Sequence, residues 1–227
     1  MMESLRRVDA ASDASPIRVD IVSDVVCPWC VIGYKQLERA LILSDLVAEI
    51  HWHPFELNPD MGAAGENLRD HLAAKYGTSV EESQDARARL TQLGEALGFT
   101  FDYRDDMRVV NTFRAHQLLH WAESESRGQA LKMALFAAYF TERRNLDDPD
   151  VLIDVAAGVG LDRNEAAAVL AEGRYAEAVR ERQRLWVSRG ITGVPAIIFN
   201  QRHLATGAQG VDRYFRILDR LAKEQAA

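Results

Sequence analysis

Two cysteines carry the plainest chemical signal in the chain. They sit three positions apart in Cys27-Pro28-Trp29-Cys30. The run before them, Ile17-Arg18-Val19-Asp20-Ile21-Val22, reads as a strand, and Val31 to Leu43 reads as a helix. A Cys-x-x-Cys pair at a strand-to-helix junction points to thiol–disulfide exchange. The attacking species in that exchange is the thiolate, yet an ordinary thiol titrates near ~8.5 and is mostly protonated at neutral pH. Position changes this. Cys27 falls at the N-cap, and Pro28 fits the first helical position because its missing N–H would be unpaired there. The free N–H groups of the first turn and the helix dipole then point at the Cys27 sulfur and lower its pKa. Cys30 lies on the same helix face, one turn inside. The expectation is that Cys27 attacks and that Cys30, more buried and less ionised, resolves the mixed disulfide.

Two other readings compete. A zinc site would need histidine ligands beside the cysteines, and of the six histidines only His51 and His53 are closely spaced. Alternation along a strand explains that pair equally well, so no metal is expected. The other reading is a pair of buried structural cysteines that are neighbours by accident.

The elements that must hold the pair follow from pattern. After the cysteine helix, Glu49-Ile50-His51-Trp52-His53-Pro54-Phe55 reads as a half-buried strand with Ile50 and Trp52 alternating with polar residues, and Asn58-Pro59 breaks it. From about Met61 to Arg189 the chain reads as almost wholly helical. Ser79 to Glu82 fits a capping box. Ala86, Leu90, Leu93 and Leu97 repeat at helical spacing, and Gly98 ends that run. Val110, Phe113, Gln117 and Trp121 mark a second helix. Leu131, Ala134, Leu135, Ala138 and Tyr139 form the apolar stripe of a third. Asp148-Pro149 reads as a cap with proline at the first helical position. Asp162 to Glu165 repeats the capping-box pattern, and a charged helix runs from about Tyr175 to Ser188. Val194 to Phe199 is a short β-rich run, Asn200-Gln201-Arg202 its turn, and His203 to Thr206 the returning strand. Asp212 is read as the cap of a last helix with Tyr214, Phe215, Leu218 and Leu221 on its apolar side.

The order is β-α-β, then helices, then β-β-α. The expected organisation is a loose tail over 1–16, one α/β unit made of 17–60 and 190–227, and a helical insertion over 61–189. A net charge of −7 disfavours nucleic acid, whose phosphates need a basic footprint. No apolar run of about 18 residues marks a membrane span. Met1 to Pro16 lacks the apolar core of a signal peptide, so the expected location is the cytoplasm. There, two cysteines are more often catalytic, redox-sensing or metal-binding than a structural staple.

Asp24, Cys27-Pro28-Trp29-Cys30, Gly33 and Gly193-Val194-Pro195 together resemble the DsbA-like thioredoxin superfamily. With Asn111-Thr112-Phe113-Arg114-Ala115-His116 and Thr206-Gly207-Ala208-Gln209 added, the chain looks like the FrnE-type cytoplasmic branch, over about Ile17 to Leu221. The resemblance implies a thioredoxin-like α/β fold carrying a large all-α insertion, and a dithiol–disulfide oxidoreductase or isomerase. It implies a cis Val194-Pro195 bond, with Pro195 shaping the site beside Cys27. The Val194 backbone would then pair with an extended substrate as an added strand does. No bound cofactor is implied; glutathione is a candidate thiol co-substrate, and the partner is a disulfide-containing protein or a small thiol.

Other residues have two readings each. Trp29 lines a substrate surface or covers a sheet edge. His116 contacts a bound peptide or glutathione, or is a satisfied core histidine. Asn111 contacts substrate or caps a helix. Gln209 holds a ligand or a loop. Asp24 accepts a proton near Cys30 or pins a turn. Arg180 to Arg184 reads as a solvated face. The runner-up function is a glutathione-dependent isomerase or transferase, similar to the 2-hydroxychromene-2-carboxylate isomerases and kappa-class glutathione transferases. Those relatives place serine where Cys27 stands. A third reading is a redox-regulated holdase.

Overall fold

The computed structural model describes residues 16–225. The tail expected over 1–16 lies, apart from Pro16, outside the described residues. Strand β1 (Ile17–Ser23) leads into helix α1 (Pro28–Ser44) and strand β2 (Ala48–Pro54). Then come β3 (Glu66–Asn67), α2 (Leu68–Tyr76), α3 (Val80–Ala96) and β4 (Arg108–Val109). Helices α4 (Phe113–Ser124), α5 (Gly128–Phe140), α6 (Pro149–Gly158), α7 (Arg163–Glu172) and α8 (Ala176–Ser188) follow. The chain closes with β5 (Ala196–Phe199), β6 (His203–Thr206) and α9 (Val211–Gln225). This is a thioredoxin-like α/β fold with a helical insertion between β2 and β5.

The main sheet has the order β2-β1-β5-β6. β1 and β2 run parallel, which obliges a crossover, and α1 provides it. β5 lies antiparallel on the other side of β1, with Val19 opposite Phe199 and Val22 opposite Ala196. Asn200 and Gln201 both take positive φ, 47° and 57°, the hairpin geometry that returns β6 along β5. Because side chains alternate along a strand, the central strands have two buried faces. Val19, Ile21, Ile197 and Phe199 join one core with Leu37 of α1 and Tyr214, Leu218 and Leu221 of α9. Val22, Ala196 and Ile198 turn the other way and meet Trp186 of α8.

Inside the insertion the Ser79–Glu82 box forms with both reciprocal bonds, 3.1 Å and 2.8 Å. Asp148 accepts from the Asp150 N–H at 2.9 Å, one residue past Pro149. Some expectations need correction. Asp162 caps α7, but the Glu165 carboxylate bonds Arg174 instead of reaching back. Asp212 lies within the first turn of α9 rather than before it. Phe215 is 38% exposed, because the buried stripe follows Tyr214, Leu218 and Leu221 at spacings of four and three. The ribbon of β3 and β4 was not anticipated; two residues a strand are too few to show a period. Arg180 and Gln183 do not face only solvent: both bond the buried Glu56 carboxylate, and so tie α8 to the loop after β2.

Leu37 is fully buried where α1 packs in this core. Leu37→Ala is expected to cost about 2–5 kcal/mol of stability, read as a lower midpoint in urea unfolding with the slope unchanged.

Candidate active site

The segment Asp24-Val25-Val26 turns the chain from β1 into α1. The Cys27 N–H donates to the Asp24 carbonyl at 3.3 Å, and Cys27 takes an extended conformation as N-cap. Pro28 then opens the helix. Both cysteines are free thiols. The Cys27 Sγ lies 3.8 Å from the Val194 carbonyl oxygen, and the Val194-Pro195 bond is cis. Gly33, one turn after Cys30, explains how closely the helix approaches: a Cβ there would stand 3.1 Å from the Pro195 ring. So Cys27, Cys30, Val194 and Pro195 are brought together from the two ends of the chain.

The charge distribution on the pair differs from expectation. The Cys27 sulfur takes no capping hydrogen bond. The Cys30 N–H is bonded to the Cys27 carbonyl at 3.1 Å and supports a Cys27 anion only as a minor influence. The neighbouring Cys30 thiol, then burial, push Cys27 well up. Burial also works against a charge on Cys30. There the Cys27 thiol, the Ser23 hydroxyl and the Lys132 ammonium outweigh it, and the Cys30 pKa falls. Cys30 was expected to be the less ionised sulfur; its surroundings favour charge on it, while those of Cys27 disfavour charge. The pair is best described as one unit that loses a first proton readily and holds the second. Accessibility still distinguishes the two: Cys27 keeps 4% of its surface open and Cys30 none.

Beneath the pair is a buried group of charges, of which sequence reasoning singled out Asp24 and missed Lys132. Asp24 is fully buried; its carboxylate accepts from the Leu57 N–H at 2.8 Å and lies 3.5 Å from His116 Nε2. Burial opposes its charge, yet His116, the Leu57 N–H and Lys132 pull its pKa below the usual value. Asp24 thus both fixes a turn and faces the thiols, whose Cys27 member it pushes up. Lys132 on α5 is buried against the Trp52 and Phe136 rings, 5.1 Å and 4.9 Å from their centroids. Burial drives its pKa down to about 8, while Cys30, Asp24 and Cys27 resist the fall. A signal for it was present: Phe136 stands one turn after Lys132, so both fall on the flank of the Leu131–Leu135 stripe.

His116 takes the second of its two readings: it is 2% exposed, its Nε2–H donates to the Phe55 carbonyl at 2.9 Å, and it presents nothing to a substrate. Asn111 spends its side chain on structure: its oxygen accepts from the Phe113 N–H at 2.9 Å, and its amide donates to the Pro59 and Met61 carbonyls at 3.5 Å and 3.4 Å. Trp29, two positions after Cys27, is 40% exposed. Gln209 bonds the Thr206 carbonyl within its own loop.

Residues 18–222 match the family model of the DSBA-like thioredoxin domain. A solved probable DsbA oxidoreductase from Streptomyces coelicolor is 34% identical, with a TM-score of 0.85 over 92% of this chain and 91% of that one. Two more distant structures share the fold. The cytosolic disulfide reductase DsbM from Pseudomonas aeruginosa, solved with GSH, is 21% identical with a TM-score of 0.62 over 91% and 99% of the two chains. A 2-hydroxychromene-2-carboxylate isomerase is 18% identical with a TM-score of 0.67 over 92% and 98%. Among the described residues no helix is long and apolar enough to cross a membrane.

Proposed function

As the chain belongs to the DSBA-like thioredoxin domain family, we propose that it is a thiol–disulfide oxidoreductase of the FrnE-type cytoplasmic branch, with Cys27 and Cys30 as its redox pair. The observation that carries this reading is the juxtaposition of two free thiols at a helix start with the cis Val194-Pro195 segment against the outer one.

The chemistry follows from the pair acting as a monoanion. The Cys27 thiolate attacks one sulfur of a substrate disulfide, and the other sulfur leaves as a thiolate. Cys30 then attacks the Cys27 sulfur, closes the intramolecular disulfide and expels the second substrate thiolate, which takes up the Cys30 proton. The substrate gains two electrons and the pair loses two. Reversal of the same steps oxidises a substrate dithiol. Glutathione is the thiol expected to return the electrons; the GSH bound to the cytosolic reductase of the same fold supports that choice. Trp29 and the Val194 backbone form the surface that meets the substrate. A glutathione-dependent isomerase of the same fold is the weaker reading, since this chain keeps both sulfurs, Cys27 standing where those relatives carry serine.

The reduced chain is expected to accelerate insulin-disulfide reduction in a turbidity assay with glutathione and its reductase as the electron source. Turbidity developing no faster than in glutathione alone would sink the reductase reading.

A further inference from the structure

Beside the cysteine pair a second feature is built for a ligand. A cavity of about 290 Å³ opens between α2, α3 and the start of α1, with Val26 and Pro28, the two neighbours of Cys27, in its wall. Its lining is mostly apolar and includes Leu90 and Phe140. Three polar side chains in the same wall carry buried atoms without hydrogen-bond partners. The Ser83 hydroxyl is buried with no hydrogen bond, and Ser83 is only 3% exposed; the Tyr103 hydroxyl is likewise alone. Arg87 has both Nε and Nη2 buried and unpaired, while its Nη1 looks outward to the exposed Asp105 at 3.5 Å.

Buried polar groups normally find partners, and unmet ones in a cavity wall point to something that fills it. The Nε–Nη2 edge of a guanidinium is the fork that grips a carboxylate with two parallel bonds. The chain uses that same edge elsewhere, where Arg18 holds Asp20 at 2.9 Å and 2.8 Å. No Asp or Glu is among the lining residues, whereas Arg87 and Lys75 are, in a chain of net charge −7. The volume suits a small molecule and sits at the low end for such sites. Nearness to the redox centre is independently marked by Tyr103, whose phenol is held up by burial and, in smaller part, by Cys27.

We infer that this cavity is the substrate subsite for small disulfides that pair an apolar body with a carboxylate, held by the Arg87 fork with the Ser83 and Tyr103 hydroxyls, so that the disulfide meets Cys27. The inference rests on the thiol–disulfide reading and gives it a substrate class. One half of such a disulfide leaves as a thiolate when Cys27 attacks and the other leaves when Cys30 closes the ring, as above.

The test uses the pre-reduced full chain in stopped-flow single turnovers, so no external reductant is needed. The probes are 5,5′-dithiobis(2-nitrobenzoate), aromatic and carboxylate-bearing, and 4,4′-dithiodipyridine, aromatic and uncharged. The readout is the ratio of their second-order rate constants. Arg87→Met is expected to lower that ratio by about 10- to 100-fold, the loss of a charge-assisted bond. Arg87→Lys is expected to restore part of it, because the charge returns without the fork. A ratio that stays put in Arg87→Met, or that falls without any recovery in Arg87→Lys, overturns the subsite. If wild type closes no Cys27–Cys30 disulfide with either probe, the redox reading itself fails, and the subsite with it. The ratio also guards against a damaged fold, which would slow both probes together.

Discussion

Cys27→Ser is expected to remove disulfide exchange by this chain, by about a thousandfold or more, since a hydroxyl is a far poorer nucleophile than a thiolate at neutral pH. Cys30→Ser is expected to behave differently. It keeps the one sulfur with accessible surface, so Cys27 still attacks, but nothing closes the ring. The variant should accumulate stable mixed disulfides with substrate, visible as added mass on Cys27 that dithiothreitol removes. The contrast carries the information. If both variants lost activity equally and neither trapped substrate, the division of roles between outer and inner sulfur would be wrong. If Cys27→Ser and wild type turned over alike, the pair would have no part in the chemistry.

Lys132→Met should produce the next largest effect. The ammonium is buried among Trp52 and Phe136 and supports the anions of Cys30 and Asp24. Removing it takes away an opposite charge in a poorly solvated site, so the pH at which the pair loses its first proton should rise by about one unit or more. Thiolate absorbance near the ultraviolet edge of the reduced protein reads this directly. Asp24→Asn should instead move the loss of the second proton down, because Asp24 pushes Cys27 up. The amide oxygen can still accept from Leu57, so the turn is kept. Stability separates electrostatics from packing. Lys132 titrates near 8 in the fold against about 10.4 in an unfolded chain. Between those values the unfolded chain binds the proton and the folded one does not, so this group makes the fold more stable as pH rises through that window. Below it the charged lysine is a burial cost, which methionine relieves. Lys132→Met is therefore expected to shift the thiol titration without loss of stability at neutral pH. A less stable protein with an unmoved titration would assign Lys132 a packing role only.

The redox pair was legible because it depends on local chemistry: two sulfurs at a fixed spacing, a proline that only a helix start accommodates well, and a strand before it. Caps were legible for the same reason, as Ser79 and Asp148 show. The turn at Asn200-Gln201 needed residues tolerant of positive φ, and Asn is one of them. What lay beyond reach came from packing between distant segments. Lys132 and His116 approach Asp24 from helices of the insertion, and nothing in their immediate neighbourhoods says that they meet there. A buried lysine also runs against the ordinary expectation for its type. The ionisation order of the pair failed for a related reason. Helix position was counted, whereas Ser23 and Lys132, which favour charge on Cys30, were not. Arg87 and Ser83 look like ordinary members of a solvated helix, since most of α3 is exposed; only the cavity beside Pro28 singles them out.

Differential alkylation of the protein across a series of glutathione redox buffers, read by mass spectrometry, tests the central claim most directly. If Cys27 and Cys30 exchange two electrons as one unit, both should lose reactivity together along a single two-electron curve, with an intramolecular disulfide as the oxidised species. Two sulfurs that oxidise at separate potentials, each ending as its own glutathione adduct, would contradict the account.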